Sequence, residues 1–558
     1  MLFDKTIKNI KRIRQVVQIL VKYGFEDVVA NTVLIKLVPR RTQLSWKRKD
    51  RPVFEYTRWE RIRMVFEELG ATFIKLAQVL SDRPDILPEP LIKEFQKLQS
   101  HVPPFEYNQV EAIIQAETGR KIEDIYDWFD KETIGSASIG QVHRAKLKTG
   151  EHVVVKVQRP GVRELVDTDL RILKDFVKRS ESYFEKNGIT NLTDIVNTFD
   201  KTMHKELDYN HEARNIEQFR LYYKRIRKFY VPRAYKDYTT EKVLVVEYAE
   251  GCKITDLKQL QEWNINLGKL AENGMHIYLT QIFEHGFFHA DPHPGNIIVK
   301  RDGTICLIDF GMVGKLMKRD KYAIAGIFIG MAQKNPEKMA SNLRKLSFKN
   351  NITDRRIFEN DVNEIIEDFA SLDVSEGSMA DLLPRLQKLV YDYKMQLPGS
   401  MFLILRALAI LEGIGKTVHP SMNIYDFLKP YGAKIVREQY SVENISEEIV
   451  DRVLQFNNFV RNFPIEINEV LRNVREGKLH IEVEDKGNKN LAKKIDKAAN
   501  RFLTAIIIAG LLISASLTLN FEMASGGENS HHLSYTQLAL AGLLSLYLLV
   551  SIVKSKGD

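Results

Sequence analysis

The chain has 558 residues, of which 44% are hydrophobic and 28% are charged, and its formal net charge is +9. This length exceeds the core of one ordinary domain, so we expect two folded parts or one large domain with extensions. The positive charge favours acidic partners such as nucleotide phosphates or anionic lipid. Neither of the two cysteines, Cys252 and Cys306, has a cysteine or histidine near it at zinc-site spacing, which excludes a zinc site of that kind and predicts a cytosolic, disulfide-free folded part.

The first 55 residues predict a basic, amphipathic segment. We expect no cleaved leader, because Arg12, Arg14 and Lys22 interrupt the apolar character that a signal peptide needs. A helix formed here either lies on a membrane surface or packs as an ordinary helix with a solvated face, and the pattern fits both equally. Its apolar positions at helical spacing are Ile7, Ile10, Ile13, Val17 and Leu20.

A turn of small residues, Gly135–Gly140, follows a helical stretch and precedes two predicted strands, Val142–Leu147 and Val153–Val157. Such a loop lets backbone N–H groups approach phosphates, and Lys156 on the second strand can neutralise the α- and β-phosphates. By itself the same pattern is more often an ordinary hairpin turn. The residues predicted to contact nucleotide here are Ile134, Gly135, Ser136, Ala137, Ser138, Ile139, Gly140, Gln141, Val142 and Lys156.

Acidic residues that can hold this lysine occur on a later predicted helix. Glu206, Asp208 and Glu212 include positions on adjacent helical turns, so one can pair with Lys156, and we assign Glu212 to that role. Further along, Glu247 follows an apolar strand, at a connection that could bind adenine through its backbone. A plain strand-to-helix connection fits Glu247 equally well.

The most specific pattern is an Asp and an Asn five residues apart, Asp291 and Asn296, followed by an Asp-Phe-Gly that begins at Asp309. This spacing places a carboxylate that can act as a base or orient a substrate beside two oxygen ligands for magnesium. It therefore predicts Asp291 as catalytic and both Asn296 and Asp309 as ligands of Mg²⁺. His289 and His293 flank Asp291 and are interpreted as structural, and no further metal site is predicted.

The C-terminal part contains two stretches without charged residues, Phe502–Phe521 and Ser534–Val553, each long enough to cross roughly 30 Å of hydrocarbon. The polar turn between them, Glu522–Leu533, predicts a transmembrane hairpin. Lysines and arginines flank its outer ends, so we expect an integral membrane protein with two C-terminal spans, whose kinase-like domain and both termini are cytoplasmic. A buried helical pair in a soluble core is the alternative.

These motifs make the chain resemble the UbiB/ADCK family of atypical kinases over Thr57–Gly314, nearly half of the chain. That family carries a Lys-x-Gly-Gln helix over its active site, and the matching residues here are Lys75 and Gln78, with Ala77 in place of the glycine. The family also has an alanine-rich nucleotide loop, and Gly135 stands where alanine is frequent.

The resemblance implies roles for a regulatory set of residues, in which Lys75 and Gln78 cover the site and Glu206 and Asp208 contact Lys75. It implies an atypical kinase or ATPase that uses Mg²⁺ with ATP, or binds ADP, to support ubiquinone or menaquinone biosynthesis at the membrane. The alternatives are a nucleotide-binding pseudokinase scaffold for quinone-pathway proteins and a membrane-tethered protein kinase. The last is disfavoured, because no Ala-Pro-Glu or activation segment follows Asp309. Expected partners are nucleotide, membrane lipid and isoprenoid-quinone intermediates or pathway proteins, but no nucleic acid.

The order of elements, rich in strands first and helices later, predicts an α+β, two-lobed protein-kinase-like fold with an N-terminal helical extension and a C-terminal transmembrane helical hairpin. The predicted divisions are a basic segment at 1–55, a helical extension at 56–130, an N-lobe at 131–250, a C-lobe at 251–430, a juxtamembrane linker at 431–500 and two transmembrane helices at 501–554.

Overall fold

The computed structural model describes residues 2–30, 55–81, 83–84, 86–98, 103–186, 192–371, 379–420, 422, 424–439, 441, 504–517 and 532–554. Contacts divide the chain into two units, Met1–Ile449 and Val450–Asp558. Most of the predicted linker at 431–500 lies outside the described residues, as does most of the turn predicted at 522–533.

Helices form the N-terminal extension of the first unit. They are α1 (Leu2–Lys22), α2 (Glu26–Ala30), α3 (Arg58–Leu69), α4 (Ala71–Ser81) and α5 (Glu89–Phe95). Helix α3 begins at a capping box, in which Thr57 and Glu60 satisfy each other's backbone N–H groups. In α1, Val16 and Ile19 are buried in a cluster that includes Phe73. The basic helix therefore packs as an ordinary helix, the second of the two alternatives that its pattern allows.

The N-lobe is built on an antiparallel sheet. Its elements and those that follow it are α6 (Tyr107–Thr118), α7 (Ile122–Ile125), β1 (Tyr126–Ser136), β2 (Gly140–Leu147), β3 (His152–Gln158), α8 (Val162–Lys186), α9 (Leu192–Glu206), α10 (Tyr209–Tyr223), β4 (Phe229–Tyr230) and β5 (Val243–Glu247). The sheet has the order β1-β2-β3-β5. Val153, Val155 and Val157 are buried with Val110 of α6, and because side chains alternate along a strand, Lys156 lies on the opposite face.

The C-lobe is mostly helical. Its elements are β6 (Cys252–Lys253), α11 (Leu257–Glu262), α12 (Leu267–Thr280), a π-helical turn (Gln281–His285), β7 (Phe287–His289), β8 (Ile297–Val299), β9 (Ile305–Leu307), β10 (Val313–Lys315), α13 (Lys318–Ala332), α14 (Pro336–Leu346), α15 (Arg355–Ser371), α16 (Met379–Asp392), α17 (Gly399–Val418) and α18 (Ile424–Gln439).

Short strand pairs set the two loops of the Asp-Asn and Asp-Phe-Gly motifs side by side. Strand β8 pairs with β9, and β7 pairs with β10. The loop at 289–296 therefore leaves β7 and enters β8, while the segment at 308–312 leaves β9 and enters β10. Both loops are held at one end of these strands, so motifs that are separate in sequence become neighbours.

The prediction of two C-terminal membrane spans is wrong: within the part of the chain that the structure describes, no helix is long and apolar enough to cross a membrane. Residues 504–517 are helical and belong to helix α19. Helix α20 (His532–Lys554) begins with polar residues, and Gln537 Nε2 donates to Ser514 Oγ at 3.2 Å. The prediction rested on two charge-free stretches of spanning length, whereas uncharged polar residues also lower the apolarity of a helix. The predicted orientation of the chain relative to a membrane depended on these two spans, so it loses its basis.

Candidate active site

Lys156 lies at the centre of a cluster of charges. Its Nζ is 2.6 Å from Oε1 of Glu212 and 3.4 Å from Oδ1 of Asp309. Burial alone would lower the pKa of Lys156, but the negative charges of Asp309 and Glu212 outweigh burial and raise it. Lys156 is therefore a fixed cation, and its partner on α10 is the glutamate assigned to it from the sequence.

Helix α10 also holds the Asp-Phe-Gly segment in place. Oε1 of Glu212 accepts a hydrogen bond from the backbone N–H of Phe310 at 3.2 Å. Asn215 Nδ2 donates to the Phe310 carbonyl at 2.9 Å, and the Phe310 ring packs on Phe219 with centroids 4.9 Å apart. The lysine strand and the magnesium-motif segment are thus fixed relative to one another by a single helix.

Asp309 combines a strained backbone with an ionised side chain. Its φ of 63° lies in the left-handed region, which is costly for a residue with a Cβ and clusters at functional sites. The charge of Lys156 lowers the pKa of Asp309 to about 2, with help from the Gly311 N–H. The side chain is 51% exposed, so an anionic carboxylate faces any ligand that enters the cleft.

The ring of His289 contacts the backbone of both loops. Its Nε2 is 2.7 Å from the carbonyl oxygen of Asp309, and its Nδ1 is 3.3 Å from the backbone N of Asp291. A carbonyl can only accept and an N–H can only donate, so the proton is assigned to Nε2 and the ring is neutral. Burial lowers the pKa of His289, which agrees with that assignment. His293 accepts from the Gly295 N–H at 2.9 Å, so both histidines have the structural contacts expected from the sequence.

Asn296 and Asp309 offer oxygen donors that fit a magnesium ion. Asn296 Nδ2 donates to the Asp291 carbonyl at 3.0 Å, which leaves Oδ1 as the acceptor. Amide and carboxylate oxygens are the ligands that Mg²⁺ prefers. Among the described residues, no group of three or more His, Cys, Asp or Glu side chains could hold a metal alone. Magnesium commonly binds through one or two side chains together with substrate phosphates, so this donor set fits the ion.

The small-residue turn forms a tight hairpin between β1 and β2. The Ala137 N–H donates to the Gly140 carbonyl at 2.8 Å. A Cβ at position 140 would lie 2.5 Å from both the Tyr209 hydroxyl and the Val157 carbonyl, so only glycine fits there. Val142 is the direct partner of Lys156 across β2 and β3, which puts both on one face of the sheet.

Other hairpin residues differ in how they could meet a nucleotide. Gln141, predicted as a contact, is buried on the opposite face, where its Oε1 accepts from the Phe105 N–H at 2.8 Å. Because side chains alternate along the strand, the Gln141 side chain supports the hairpin, and a contact of the Gln141 backbone with nucleotide stays a prediction. Ser136 Oγ accepts from Arg159 at 3.3 Å, and Ser138 is buried. The other predicted members of the turn are Ile134, Gly135, Ala137 and Ile139.

Lys75 of α4 projects to the same charge cluster. Its Nζ is 2.8 Å from Oε1 of Glu206, at the end of α9. Burial alone would lower the pKa of Lys75, but Glu206, followed by Asp309 and Asp291, outweighs burial and raises it. Lys75 is therefore a second cation within electrostatic range of the two motif aspartates.

Asp208 and Gln78, the other members of the predicted regulatory set, are not part of the Lys75–Glu206 pair. Asp208 contacts the N-terminus of α10 instead of Lys75: its Oδ1 accepts from the Asn210 N–H at 3.0 Å as an N-cap. Gln78 lies half-buried one turn after Lys75 on α4. Ala77 is fully buried in a cluster with Phe95, so its methyl group fills a core position between helices.

Glu247, predicted at the adenine hinge, uses its side chain for structure. Both carboxylate oxygens accept from the Tyr230 hydroxyl, at 2.6 and 2.7 Å, and one accepts from the Arg233 N–H at 3.0 Å. A contact of Glu247 with adenine would therefore have to come from its backbone, and this part of the hinge prediction stays a prediction.

Three parts of the chain match domains of a known protein family. Residues 97–343 match the model of the ABC1 atypical kinase-like domain, 362–423 match the UbiB helical domain, and 486–554 match the ABC1/UbiB kinase-like C-terminal domain. A protein of Pseudomonas fluorescens named probable protein kinase UbiB is 32% identical, over 80% of this chain and 84% of its own length. The chain belongs to the UbiB/ADCK family of atypical kinases.

Two further similar proteins have no activity in their names. An uncharacterized protein from the hydrogenase 1 5′ region of Clostridium pasteurianum is 30% identical, over 98% of this chain and 99% of its own. The uncharacterized protein sll1770 of Synechocystis is 32% identical, over 82% of this chain and 79% of its own. The chain is thus similar to a relative over nearly its whole length.

The helical region of this UbiB-family chain adds a residue that the sequence motifs do not reveal. Arg406, on α17, places its Nη2 3.6 Å from Oδ1 of Asp291. The arginine lies far along the chain from the aspartate, in the part matched by the UbiB helical domain. No local pattern indicates the pairing, since it depends on how α17 packs against the C-lobe.

Proposed function

We propose that this protein binds MgATP in the site around Lys156 and acts as an atypical kinase or ATPase that supports isoprenoid-quinone biosynthesis. The observation that carries the proposal is the contact of Lys156 with both Glu212 and Asp309. The segment before Asp309 is also joined to Asn296, because the Ile308 N–H donates to the Asn296 carbonyl at 3.0 Å. This arrangement supplies one cation for the phosphates and hard oxygen donors for a divalent ion. Bound magnesium would neutralise charge on the phosphates.

Asp291 is the candidate for the group that orients or deprotonates an acceptor. Its backbone is fixed on both sides, by His289 Nδ1 and by Asn296 Nδ2, while its side chain is only half-buried. A positioned carboxylate next to the phosphate and magnesium groups is what phosphoryl transfer or ATP hydrolysis needs from the chain.

The acceptor is better matched by a small molecule than by a protein segment. A protein kinase displays its substrate along an activation segment, yet here only β10 lies between Gly311 and the start of α13 at Lys318. Helix α4 brings Lys75 to the charge cluster as well. Quinone precursors, of the ubiquinone or menaquinone type, are proposed from the family resemblance, with quinone-pathway proteins as further partners.

The proposal is tested by magnesium-dependent ATP turnover of the purified full-length chain, with and without quinone-precursor analogues. Turnover that disappears in Asp309→Asn and in Asp291→Asn supports the enzyme. Phosphate recovered on a polyphenol, not on protein, would identify the acceptor class. If ATP binds and neither wild type nor variants turn it over, the proposed activity is wrong.

A nucleotide-binding scaffold is the second candidate, because two cations already neutralise the aspartates that would do the chemistry. Lys75 lies near both Asp291 and Asp309, and Arg406 pairs with Asp291. In such a protein ATP or ADP would act as a switch for partner binding. Nucleotide-dependent binding of a pathway protein without turnover would favour this function.

A further inference from the structure

Arg159, the first residue after β3, joins two separate segments through its guanidinium group. Its Nη2 donates to the Pro103 carbonyl at 2.8 Å and to Ser136 Oγ at 3.3 Å, and it lies 3.5 Å from the Ala137 carbonyl. Pro103 belongs to the segment before α6, whereas Ser136 and Ala137 belong to the small-residue turn, Gly135–Gly140. One side chain thus fastens the turn to a segment outside the sheet.

The guanidinium reaches the turn from the face of the sheet that points away from the cleft. Its Cζ lies 5.3 Å from the ring centroid of Phe105, and Phe105 packs against the cluster that contains Val155 and Val157. Because side chains alternate along β3, these valines and Lys156 lie on opposite faces. Arg159 therefore holds the turn on the side opposite Lys156.

The segment that Arg159 holds is itself fixed to the sheet. Gln141 Oε1 accepts from the Phe105 N–H at 2.8 Å, and Gln141 Nε2 donates to the Phe105 carbonyl at 3.2 Å. Gln141 is buried, so water does not compete for these two hydrogen bonds. The Arg159 side chain therefore connects the turn to an anchored support, which limits the conformations that the turn can adopt.

The turn has backbone donors available for a ligand. The Arg159 N–H donates to the Ile139 carbonyl at 2.7 Å, and the Ala137 N–H donates to the Gly140 carbonyl at 2.8 Å. Among the described residues, by contrast, no group accepts a hydrogen bond from the N–H of Ser138 or of Ile139. Successive N–H groups of a turn are donors that bind phosphate oxygens.

Arg159 also brings a positive charge to the turn. Burial lowers the pKa of Arg159, and within the part of the chain that the structure describes no carboxylate raises it again. A guanidinium nevertheless stays protonated in a folded protein. Its charge is therefore not neutralised by an ion pair with a described residue, and it attracts an anion that approaches the turn.

We propose that Arg159 is a positioning residue of the nucleotide site, which holds the small-residue turn in the shape that binds the phosphates of ATP. Without the guanidinium, the turn has to be ordered when nucleotide binds, and the entropy lost in ordering opposes binding. This inference rests on the proposed binding of MgATP, but its first test needs no nucleotide.

Hydrogen exchange of the full-length chain without nucleotide, followed by mass spectrometry, measures how firmly the turn is held. Arg159→Met keeps a long side chain over Phe105 but removes the donors, so exchange in the peptide spanning 133–142 should become about tenfold faster. Arg120→Met, the same substitution at an exposed position between α6 and α7, should leave that exchange unchanged. Strand β5 should exchange alike in all three proteins, which would show that the sheet is intact.

Titration with a fluorescent ATP analogue and Mg²⁺ tests the role in binding. We expect the affinity to fall by about tenfold in Arg159→Met and by about threefold in Arg159→Lys, which keeps the charge but loses the fork of donors. Arg120→Met should bind like wild type. Ethylguanidinium at millimolar concentration should restore part of the affinity of Arg159→Ala, whereas ethylammonium should not, and a merely destabilised variant would recover with neither.

The proposal is overturned if the turn exchanges at the wild-type rate in Arg159→Met, if that variant binds the analogue as wild type does, or if ethylguanidinium restores no affinity to Arg159→Ala. A wild type that binds no ATP analogue would overturn the proposed function together with this inference. Wild-type binding that the Arg159 variants leave unchanged would overturn the role of Arg159 alone, so the two failures are distinguishable.

Discussion

Lys75 Nζ lies 2.8 Å from Oε1 of Glu206, so a helix outside the two lobes contributes a cation to the charge cluster of the site. Both side chains are largely buried, at 20% and 10% exposure. Removing one partner of such a pair leaves the other charge buried without compensation.

Lys75→Ala should therefore lower the free energy of unfolding by about 2–3 kcal/mol, and Lys75→Ala with Glu206→Gln should recover a large part of this loss. Urea denaturation of the variants measures both effects. Lys93→Ala, which removes an exposed lysine paired with Glu89, serves as the control and should change stability little. Equal losses in the single and double variants would contradict the uncompensated-charge explanation.

Loss of the Lys75 charge should also affect magnesium. Lys75 lies within electrostatic range of Asp291 and Asp309, so its removal makes the cleft more negative. We expect the Mg²⁺ concentration for half-maximal nucleotide binding to fall by roughly threefold or more in Lys75→Ala. Titration of a fluorescent ATP analogue at several magnesium concentrations measures this shift, and Lys75→Arg, which keeps the charge, should stay close to wild type.

Asp309→Asn should reduce magnesium-dependent ATP turnover by about 100-fold or more, because a neutral amide cannot replace the carboxylate that faces the cleft. The matched control is Asp302→Asn in the exposed turn before β9, where the carboxylate accepts from Thr304. A steady-state phosphate-release assay compares them. Equal ATP turnover in both variants would contradict the assignment of Asp309 to the proposed magnesium site.

Gly140→Ala should destabilise the N-lobe by about 2 kcal/mol, because its Cβ would lie 2.5 Å from a backbone carbonyl that cannot move freely. Gly135→Ala, in the same hairpin, meets no atom within 4 Å and should stay within about 0.5 kcal/mol of wild type. Thermal unfolding distinguishes the two. A stable Gly140→Ala protein would mean that the hairpin approaches β3 less closely than in this structure.

His143 should make stability depend on pH below neutrality. The residue is 0% exposed, packs beside Phe129, and burial lowers its pKa in the folded state. The unfolded chain takes up a proton near pH 6.5, so the stabilising effect of neutral His143 is present above that pH and is lost as pH falls below it. Through this one group, the free energy of unfolding changes by up to about 1.4 kcal/mol for each pH unit.

His143→Gln should reduce the slope of unfolding free energy against pH between about 6.5 and 5, because glutamine takes up no proton. Exposed His152→Gln is the control and should keep the wild-type slope. Urea unfolding at a series of pH values provides the measurement, and identical slopes in wild type and His143→Gln would contradict the assignment.

Local chemistry determines much of the site. Lys156 on a valine-rich strand, Asn296 five residues after Asp291, and the Asp-Phe-Gly at Asp309 each predict a backbone geometry from a few adjacent residues. Their mutual approach follows from strand pairing, which such short motifs encode well. The family resemblance was confirmed for the same reason, since its motifs are local.

Tertiary packing decided what short patterns could not. Arg406 reaches Asp291 from α17, and Arg159 joins Pro103 to the small-residue turn, because segments distant in sequence pack together. The roles of Gln141 and Asp208 also depended on which face of a strand or which helix end each side chain met. Two membrane spans were predicted from charge-free stretches of spanning length, although crossing a bilayer also depends on the uncharged polar groups of a helix. The sequence by itself determined which chemical groups are present and in which local order; only the tertiary structure decided which of them meet, because burial and pairing are properties of the packed chain.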